Sequence, residues 1–255
     1  MNAIEAKIGK EAREFLKQDG KIAILGTIDD KGCPHLDFIT FLQGVGTEQI
    51  KLCRFCEPGE KQFFEKRPEA AFLVLSPQMR WLRGSMHYTH HEESGEVFDA
   101  HRGNLLLGFN RLYFFDLVTI DEIRKMQMQK IFIGLAMSRV KAKFVSTGAR
   151  KALTEKCRLL FSDTGAFKFL CWKEGSHLSD IVPVVQAIPL SADRIVFSPM
   201  PHGEDFADAD IGAKAAILCV NGKLQNTLAK GTLVSKGVLE IEKVVEGEMN
   251  EYCTS

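Results

Sequence analysis

Apolar and polar residues change their spacing several times along the first half of the chain, and each change predicts an element. Helical intervals separate Ile4, Ile8, Ala12, Phe15 and Leu16, which predicts an amphipathic first helix ending near residue 20. Apolar runs bounded by turn residues then predict strands at 21–28, 34–43, 50–55, 70–75, 80–88 and 111–120. One helix followed by about six antiparallel strands is the pattern of a small barrel.

The stretch from residue 50 to residue 75 predicts a strand, a glycine turn, a short helix and a second strand. Pro58-Gly59 breaks the first strand, and residues 60–66 place two phenylalanines where one helical turn would bury them. Lys61 stands at the start of that helix, where free backbone N–H groups and the helix dipole favour an anion. The corner is therefore predicted to hold the phosphate of a nucleotide-like cofactor.

The second half of the chain repeats the first at a nearly constant offset. The offset is 145 residues for most segments and 147 for one of them. The matched segments are 48–52 with 193–197, 70–73 with 215–218, 83–85 with 230–232, and the first helix with 149–161. This spacing predicts a tandem duplication, in which two small barrels pack as the halves of a homodimer do.

The predicted fold class is mainly β with flanking helices, with two tandem six-stranded antiparallel barrels packed as a pseudo-dimer. Residues 1–125 are expected to form the copy with the phosphate site, residues 126–148 a connecting segment and residues 149–255 a second, degenerate copy. The connecting segment is basic and rich in methionine, and Met126, Met128 and Met137 are expected to fill irregular apolar space between the barrels.

The two copies differ at the phosphate corner. Lys61 corresponds to Phe206, and the charges in residues 54–69 sum to zero, whereas those in residues 199–214 sum to −3. A phosphate would be repelled by the second window. One cofactor per chain is the resulting prediction, with the second copy serving as the other wall of the pocket.

Composition limits the options without choosing among them. Apolar residues make up 45% and charged residues 26% of the chain, which is ordinary for a globular protein. The 33 basic and 33 acidic residues give a net charge of zero, so the overall charge favours neither nucleic acid nor a membrane. The absence of an N-terminal apolar run predicts a soluble, cytoplasmic protein, and the seven cysteines lack a disulfide-framework spacing.

Three motifs of the first half resemble those of the pyridoxamine 5′-phosphate oxidase-like, FMN-binding split-barrel family. Thr27 to His35 is similar to the "T-x-D-x-x-G-x-P-H" first hairpin of that family. Residues 59–71 resemble its "K-x-x-N-L-x-x-N-P-x-V" strand-helix-strand, although Phe64 and Arg67 replace the usual asparagines. Residues 83–85 resemble its later "K-G-x-A" strand.

The resemblance implies that FMN lies at the interface between two split barrels. It implies contacts to the phosphate from Lys61 and Gln62, a ribityl chain bordered by the strand Leu52, Cys53, Arg54 and Phe55, and a flavin edge lined by the backbone of Phe38, Ile39, Thr40 and Phe41. Arg54 and Arg83 are candidates for a second cation, on the phosphate or on an anionic substrate. Trp81 and Trp172 could stack on the ring, but core packing is the preferred interpretation.

Two other constellations have simpler explanations. Cys53 and Cys56 have redox-like spacing, but a strand lacks the helix dipole that stabilises a thiolate, which favours a structural pair. A polar loop is predicted to contain the second constellation, whose members are His87, His90, His91, His101, Glu92, Glu93 and Asp99. That cluster could ligate a metal or haem, but a solvated hairpin tip is favoured and no metal site is predicted.

Three functions follow from the sequence. The first is an FMN-dependent oxidoreductase acting on a small substrate or electron acceptor, with reduced nicotinamide as a candidate donor. The second is a flavin carrier or sensor without turnover, and the third is a haem-binding or haem-degrading protein of the same fold. No dyad or triad identifies a catalytic residue, and neither nucleic acid nor a membrane is an expected partner.

Overall fold

The computed structural model describes residues 7–39, 41–54, 62–94, 111–145, 152–207 and 209–247, and the structural statements below concern these residues. The helices are α1 (Lys10–Lys17), α2 (Phe63–Lys66), α3 (Met128–Ala142) and α4 (Glu155–Ser162), with 3₁₀ turns at Met200–His202 and Glu204–Phe206. The strands are β1 (Ile22–Ile28), β2 (Pro34–Ile39), β3 (Phe41–Val45), β4 (Gln49–Arg54), β5 (Glu69–Leu75), β6 (Arg80–Glu92), β7 (Arg111–Ile120), β8 (Arg124–Lys125), β9 (Phe167–Glu174), β10 (His177–Leu178), β11 (Val182–Pro183), β12 (Ile188–Pro189), β13 (Arg194–Val196), β14 (Lys214–Val220), β15 (Asn226–Ser235) and β16 (Val238–Gly247).

Two eight-stranded sheets contain these strands, and both have the same order. The first runs β2-β1-β5-β6-β7-β4-β3 with β8 beside β6, and the second runs β10-β9-β14-β15-β16-β13-β12 with β11 beside β9. The predicted class, mainly β with two tandem antiparallel sheets, is confirmed. The first sheet has eight strands rather than six because the predicted strand 34–43 is divided into β2 and β3, which pair at opposite ends of the sheet, and because the two-residue strand β8 joins it.

The offset read from the sequence recurs in the element boundaries. The first helix, β1 and β5 begin at Lys10, Ile22 and Glu69, and their counterparts α4, β9 and β14 each begin 145 residues later. The two halves therefore share their spacing and their strand order, as a tandem duplication predicts.

The chain divides into two compact units. The first unit comprises the described residues up to Ile28 and those from Asp37 to Met126, and the second comprises Asp29–Leu36 and the described residues from Gln127 onward. The core of the first unit packs α1 against the sheet through Phe15 and Leu16, with Leu25, Leu52 and Phe72 from the strands. The core of the second unit is built in the same way, with Phe161 from α4 and Leu170, Trp172, Ile195 and Ile217 from its strands.

A glycine stands at the same place in each sheet because two backbones approach closely there. A Cβ on Gly84 of β6 would lie 2.1 Å from the carbonyl oxygen of Thr119, and a Cβ on Gly231 of β15 would lie 1.8 Å from that of Glu240. Only glycine fits such an approach. The glycines of Arg83-Gly84 and Lys230-Gly231 thus allow the neighbouring strands to pack closely.

No helix among the described residues is long and apolar enough to cross a membrane.

Candidate functional site

The predicted phosphate corner follows β4 in the first unit. Helix α2 forms a single turn from Phe63 to Lys66 and leads directly into β5. Gln62 precedes the helix, is only 5% exposed, and accepts a hydrogen bond from the Glu65 N–H at its backbone carbonyl. The strand-helix-strand order is as predicted, although the described helix begins at Phe63. Lys61 lies outside the described residues.

Phe64 fills the core beneath this corner. Its ring is buried and lies 4.9 Å from the ring centroid of Tyr113 and 5.1 Å from that of Phe115, edge-on in both cases. Tyr88 adds a third aromatic contact at 5.1 Å. Such edge-to-face contacts stabilise a core beyond the burial of apolar area. Phe64, which replaces an asparagine of the family motif, is therefore a core residue in this chain.

The predicted cofactor-lining residues lie on two different faces of the first sheet. Leu52 and Ile39 belong to the core. Phe41 and Cys53 pair across β3 and β4, and Cys53 pairs with Leu112 of β7. Together with Phe114 these residues form a second apolar cluster, which we call the outer apolar row (Phe41, Cys53, Leu112 and Phe114). The alternation of a strand explains the division, since neighbouring residues point to opposite faces.

The rest of the predicted set is placed only in part. Phe38 lies half-buried on β2, whereas Thr40 and Phe55 lie outside the described residues. For Arg54 only the backbone is described, and it pairs with Arg111 of β7. These assignments remain predictions.

Cys53 is a buried thiol rather than a reactive one. Burial raises its pKa to about 12, and the nearby charge of Lys51 opposes this shift only in part. A thiol with that pKa carries almost no thiolate at neutral pH, and the thiolate is the reactive form. This agrees with a structural role for Cys53, whereas its predicted pair Cys56 lies outside the described residues.

Arg83 is buried and forms an ion pair within the first unit. Its Nε donates to Asp121 Oδ2 at 2.8 Å, and its guanidinium carbon lies 5.6 Å from the ring centroid of Trp81. Asp121 thus already balances the charge of Arg83, and a phosphate contact from Arg83 remains a prediction. Trp81 and Trp172 are both buried, in agreement with core packing.

The predicted histidine loop is largely a strand. His87, His90 and His91 lie in β6, and their predicted position in a hairpin tip is therefore wrong. His101 and Asp99 lie outside the described residues. The ring of His90 stacks on Phe114 at 4.6 Å, and His91 Nδ1 shares a hydrogen bond of 2.9 Å with the Tyr88 hydroxyl. Within the part of the chain that the structure describes, no group of three or more His, Cys, Asp or Glu side chains could hold a metal ion.

The corresponding corner of the second unit is closed by aromatic side chains. Phe206, at the position of Lys61, is 4% exposed and stacks on Trp172 at 5.3 Å. Its ring also lies 5.5 Å from that of Phe197. Ala209, at the position of Phe64, completes this part of the core. The buried aromatic residue of the second half, Phe206, thus stands three positions earlier in the repeat than Phe64 does in the first half. Its position corresponds to that of Lys61.

Helix α3 covers the same corner of the second unit. Ser198, the counterpart of Cys53, donates its backbone N–H to Ser138 Oγ of α3 at 2.9 Å, and its carbonyl accepts from Gln186 Nε2 at 2.5 Å. The helix approaches closely because Gly134 faces Pro201, where a Cβ would meet Pro201 Cγ at 3.1 Å. Sequence reasoning missed this contact, although Gly134 and Ser138 are small residues one helical turn apart.

Met126, Met128 and Met137 of the connecting segment were all expected to fill apolar space, and this prediction is wrong for two of them. Met126 is buried, but Met128 and Met137 are exposed. The reason is that the helix buries a different face, formed by Ile131, Gly134 and Ser138.

An ion pair missed by the sequence analysis holds the first hairpin motif. Lys230 Nζ donates to Asp29 Oδ2 at 2.7 Å, and Asp29 Oδ1 accepts from the N–H groups of Lys31 and Cys33, at 2.9 Å each. Burial raises the pKa of Asp29, but its hydrogen bonds and the charge of Lys230 outweigh this and leave the pKa below its ordinary value. Gly32 completes the turn with a φ of +74°. Both partners belong to the second unit.

No protein-family model and no curated protein sequence matches the chain. Solved structures similar to it include an FMN-binding protein from Syntrophomonas wolfei, at 19% identity and a TM-score of 0.39, covering 44% of this chain and 83% of the other. HupZ from Group A Streptococcus matches at 12% identity and a TM-score of 0.37, covering 46% and 91%. A putative pyridoxamine 5′-phosphate oxidase from Lactobacillus delbrueckii matches at 16% identity and a TM-score of 0.33, covering 46% and 93%.

The similarity concerns the arrangement of strands and nothing finer, and each match covers less than half of this chain.

Proposed function

We propose that the first unit binds one flavin per chain, FMN by the resemblance of its motifs, and that the chain uses it as an oxidoreductase. The observation that carries the proposal is the difference between the two corners. The second is filled by Phe206 and covered by α3, whereas the first keeps the buried Gln62 ahead of α2 and places its aromatic residue, Phe64, in the core.

The sequence around the end of β4 supports this proposal. A flavin needs an apolar surface for its ring and cations or N–H donors for its phosphate. The half-buried ring of Phe41 lies at the edge of the otherwise buried outer apolar row, and the sequence at and after the end of β4 carries the cations Arg54 and Lys61 and then Gln62. When bound, the flavin supplies the redox chemistry, and the protein holds and orients it. Lys51, 5.9 Å from the Phe41 ring centroid, adds a positive charge beside the row.

The site is tested by FMN titration of Lys61→Glu. Reversing a charge at a phosphate contact should cost about 1.5–3 kcal/mol, a loss of affinity of roughly tenfold to 150-fold. Lys66→Glu is the matched control, because it makes the same change of charge at the other end of α2, on an exposed side chain. Equal affinity of Lys61→Glu and the wild type would rule out the phosphate assignment.

The stoichiometry tests the difference between the corners. After full reconstitution we expect one flavin per polypeptide, because Phe206 and α3 occupy the second corner. A ratio near two would show that the second corner also binds.

Turnover and cofactor class need separate measurements. The absorption spectrum of the purified protein should show the flavin band near about 450 nm, whereas a dominant Soret band would favour the haem alternative. Oxidation of reduced nicotinamide in the presence of small electron acceptors would distinguish an oxidoreductase from a flavin carrier or sensor. A flavin-loaded protein without such turnover would support the carrier.

A further inference from the structure

Helix α3 has two faces of different chemistry. Its buried face packs against the second unit through Gly134 and Ser138. The opposite face carries Ile133, Met137, Val140 and, in the turn that follows, Phe144, which recur at intervals of three and four residues and so lie in one line. We call this line the exposed stripe. Its residues are 54%, 48%, 55% and 83% exposed, and Phe132 beside them is 66% exposed.

Basic residues border the exposed stripe. Between Glu122 and Glu155 the sequence has eight basic residues and no acidic one. By helical spacing Lys130 lies on one side of the stripe, and Arg139 and Lys143 lie on the other. The zero net charge of the chain therefore conceals a strong local excess of positive charge.

We propose that the exposed stripe of α3 docks on an anionic lipid surface, with the helix lying in the plane of the headgroups. Large apolar side chains between two basic borders are the composition of helices that bind membrane interfaces. The apolar stripe would enter the boundary between headgroups and acyl chains, and the lysines and arginine would meet lipid phosphates and carboxylates.

Charge complementarity selects this occupant. A second copy of the chain docked helix to helix would bring the same basic borders together, and like charges repel. A lipid surface offers negative charge and apolar depth at once, and it accepts a convex ridge without a matching groove.

The helix is already built for such docking. Ser138 and Gly134 hold its inner face on the second unit, so the exposed stripe keeps its geometry in solution. Docking therefore requires no folding of α3. The proposal is independent of the flavin, and its tests use no redox activity.

The experiment is flotation of the full chain with vesicles. One set contains phosphatidylcholine alone, and the other about three parts phosphatidylcholine to one part phosphatidylserine. Ile133→Ser/Phe144→Ser removes apolar contacts, and Lys130→Glu/Lys143→Glu reverses charge on both borders. Ile211→Ser and Lys223→Glu are matched controls, because both residues are exposed elsewhere in the second unit. All of these positions are exposed, so circular dichroism should show an unchanged fold.

We expect binding to the phosphatidylserine vesicles at least about tenfold stronger than to phosphatidylcholine alone, weakened by salt. Each double variant should lose about tenfold or more of this binding, while the controls retain it. In a Phe144→Trp variant the tryptophan emission should shift to the blue on binding, and the two native tryptophans are buried and should contribute little to the change.

Three results would overturn the proposal. The first is no flotation with phosphatidylserine vesicles at low salt, and the second is equal flotation of Ile133→Ser/Phe144→Ser and the wild type. The third is a concentration-dependent dimer, seen by sedimentation velocity, that the same double variant abolishes, because this would assign the stripe to a second copy of the chain.

Discussion

The two corners of the duplicated fold begin from the same strands and end differently. In the first unit β4 leads to Gln62 and a one-turn helix, and Phe64 enters the core beside Tyr113. In the second unit the aromatic residue comes three positions earlier in the repeat, as Phe206, and packs against Trp172. The strands keep their order, but the loop between them has exchanged a cation for a core residue.

The difference shows how a duplication can divide its tasks. Helix α3 seals the second corner by accepting the Ser198 N–H at Ser138, and a helix so placed would obstruct a ligand at the equivalent position. The corner of the second unit is therefore a closed core.

Restoring a lysine in the second corner should have the largest effect. Phe206→Lys removes a buried ring and leaves an uncompensated charge in its place, which should cost about 4 kcal/mol or more of unfolding free energy. Phe206→Leu keeps most of the volume and should cost about 1 kcal/mol or slightly more. Denaturant unfolding followed by tryptophan fluorescence measures both, since Trp172 contacts the ring directly.

A stable Phe206→Lys variant would break the contrast. If it kept its unfolding midpoint and bound a second flavin, the second corner would be a phosphate site that lacks only its cation. The closed core and the covering helix would then have no bearing on stoichiometry.

The paired glycines test whether the two sheets are equivalent. Gly84→Ala and Gly231→Ala each drive a methyl group into a carbonyl oxygen of the adjacent strand, and each should cost about 2–3 kcal/mol. Gly203→Ala is the control, because a Cβ there meets no atom within 4 Å. Denaturation curves should show similar losses for the first two and nearly none for the third. A large loss in only one half would mean that the sheets differ where the repeat says they agree.

Much of the fold could be predicted from the sequence because its signals are local. The nearly continuous apolar runs in residues 22–28 and 69–75, the turn at Gly32 and the helical spacing up to Leu16 each determine an element without distant partners. The repeat in the sequence then predicted a second sheet like the first. Its offset of 145 residues recurs in the boundaries of α4, β9 and β14.

The contacts that distinguish the two corners could not be predicted in this way. Whether Phe64 fills a core or lines a pocket depends on Tyr113 and Phe115, about 50 residues away in sequence. The pairing of Asp29 with Lys230 spans 201 residues. The division of residues 34–43 into β2 and β3 also depends on partners, because each strand pairs at a different end of the sheet.

A third test compares the ion pairs of Arg83 and Lys230, the basic residues that precede Gly84 and Gly231 in the two halves. Lys230 pairs with Asp29, and the two side chains are 10% and 14% exposed, whereas Arg83 pairs with Asp121, which is 31% exposed. Removing one partner of a nearly buried pair leaves a charge uncompensated, so Asp29→Asn should cost about 2 kcal/mol. Asp121→Asn should cost less, about 1 kcal/mol, because its carboxylate is partly solvated. Unfolding midpoints at neutral pH compare the two.

The same pair predicts a dependence on pH. The pKa of Asp29 in the folded state lies below its ordinary value of 3.8, so its contribution is complete above that pH and is lost as the pH falls through the folded-state pKa. The wild type should therefore approach Asp29→Asn in stability at acid pH and exceed it at neutral pH. A constant difference between the two down to the acid limit would exclude a role for the Asp29 charge.

A small effect is expected where Ser138 of α3 accepts the hydrogen bond from the second corner. Ser138→Ala removes the acceptor of the buried Ser198 N–H and should cost about 1–2 kcal/mol. Ser138 Oγ also donates to the Gly134 carbonyl at 2.8 Å. Ser162→Ala is the matched control, because the exposed Ser162 likewise donates to a carbonyl four residues earlier in its own helix. Hydrogen exchange at Ser198 should accelerate in the first variant and stay unchanged in the second. Flavin stoichiometry should remain at one in both, because Phe206 still fills the corner after the helix loosens. A rise above one in Ser138→Ala would make α3, rather than the aromatic core, the element that keeps the second half without a cofactor.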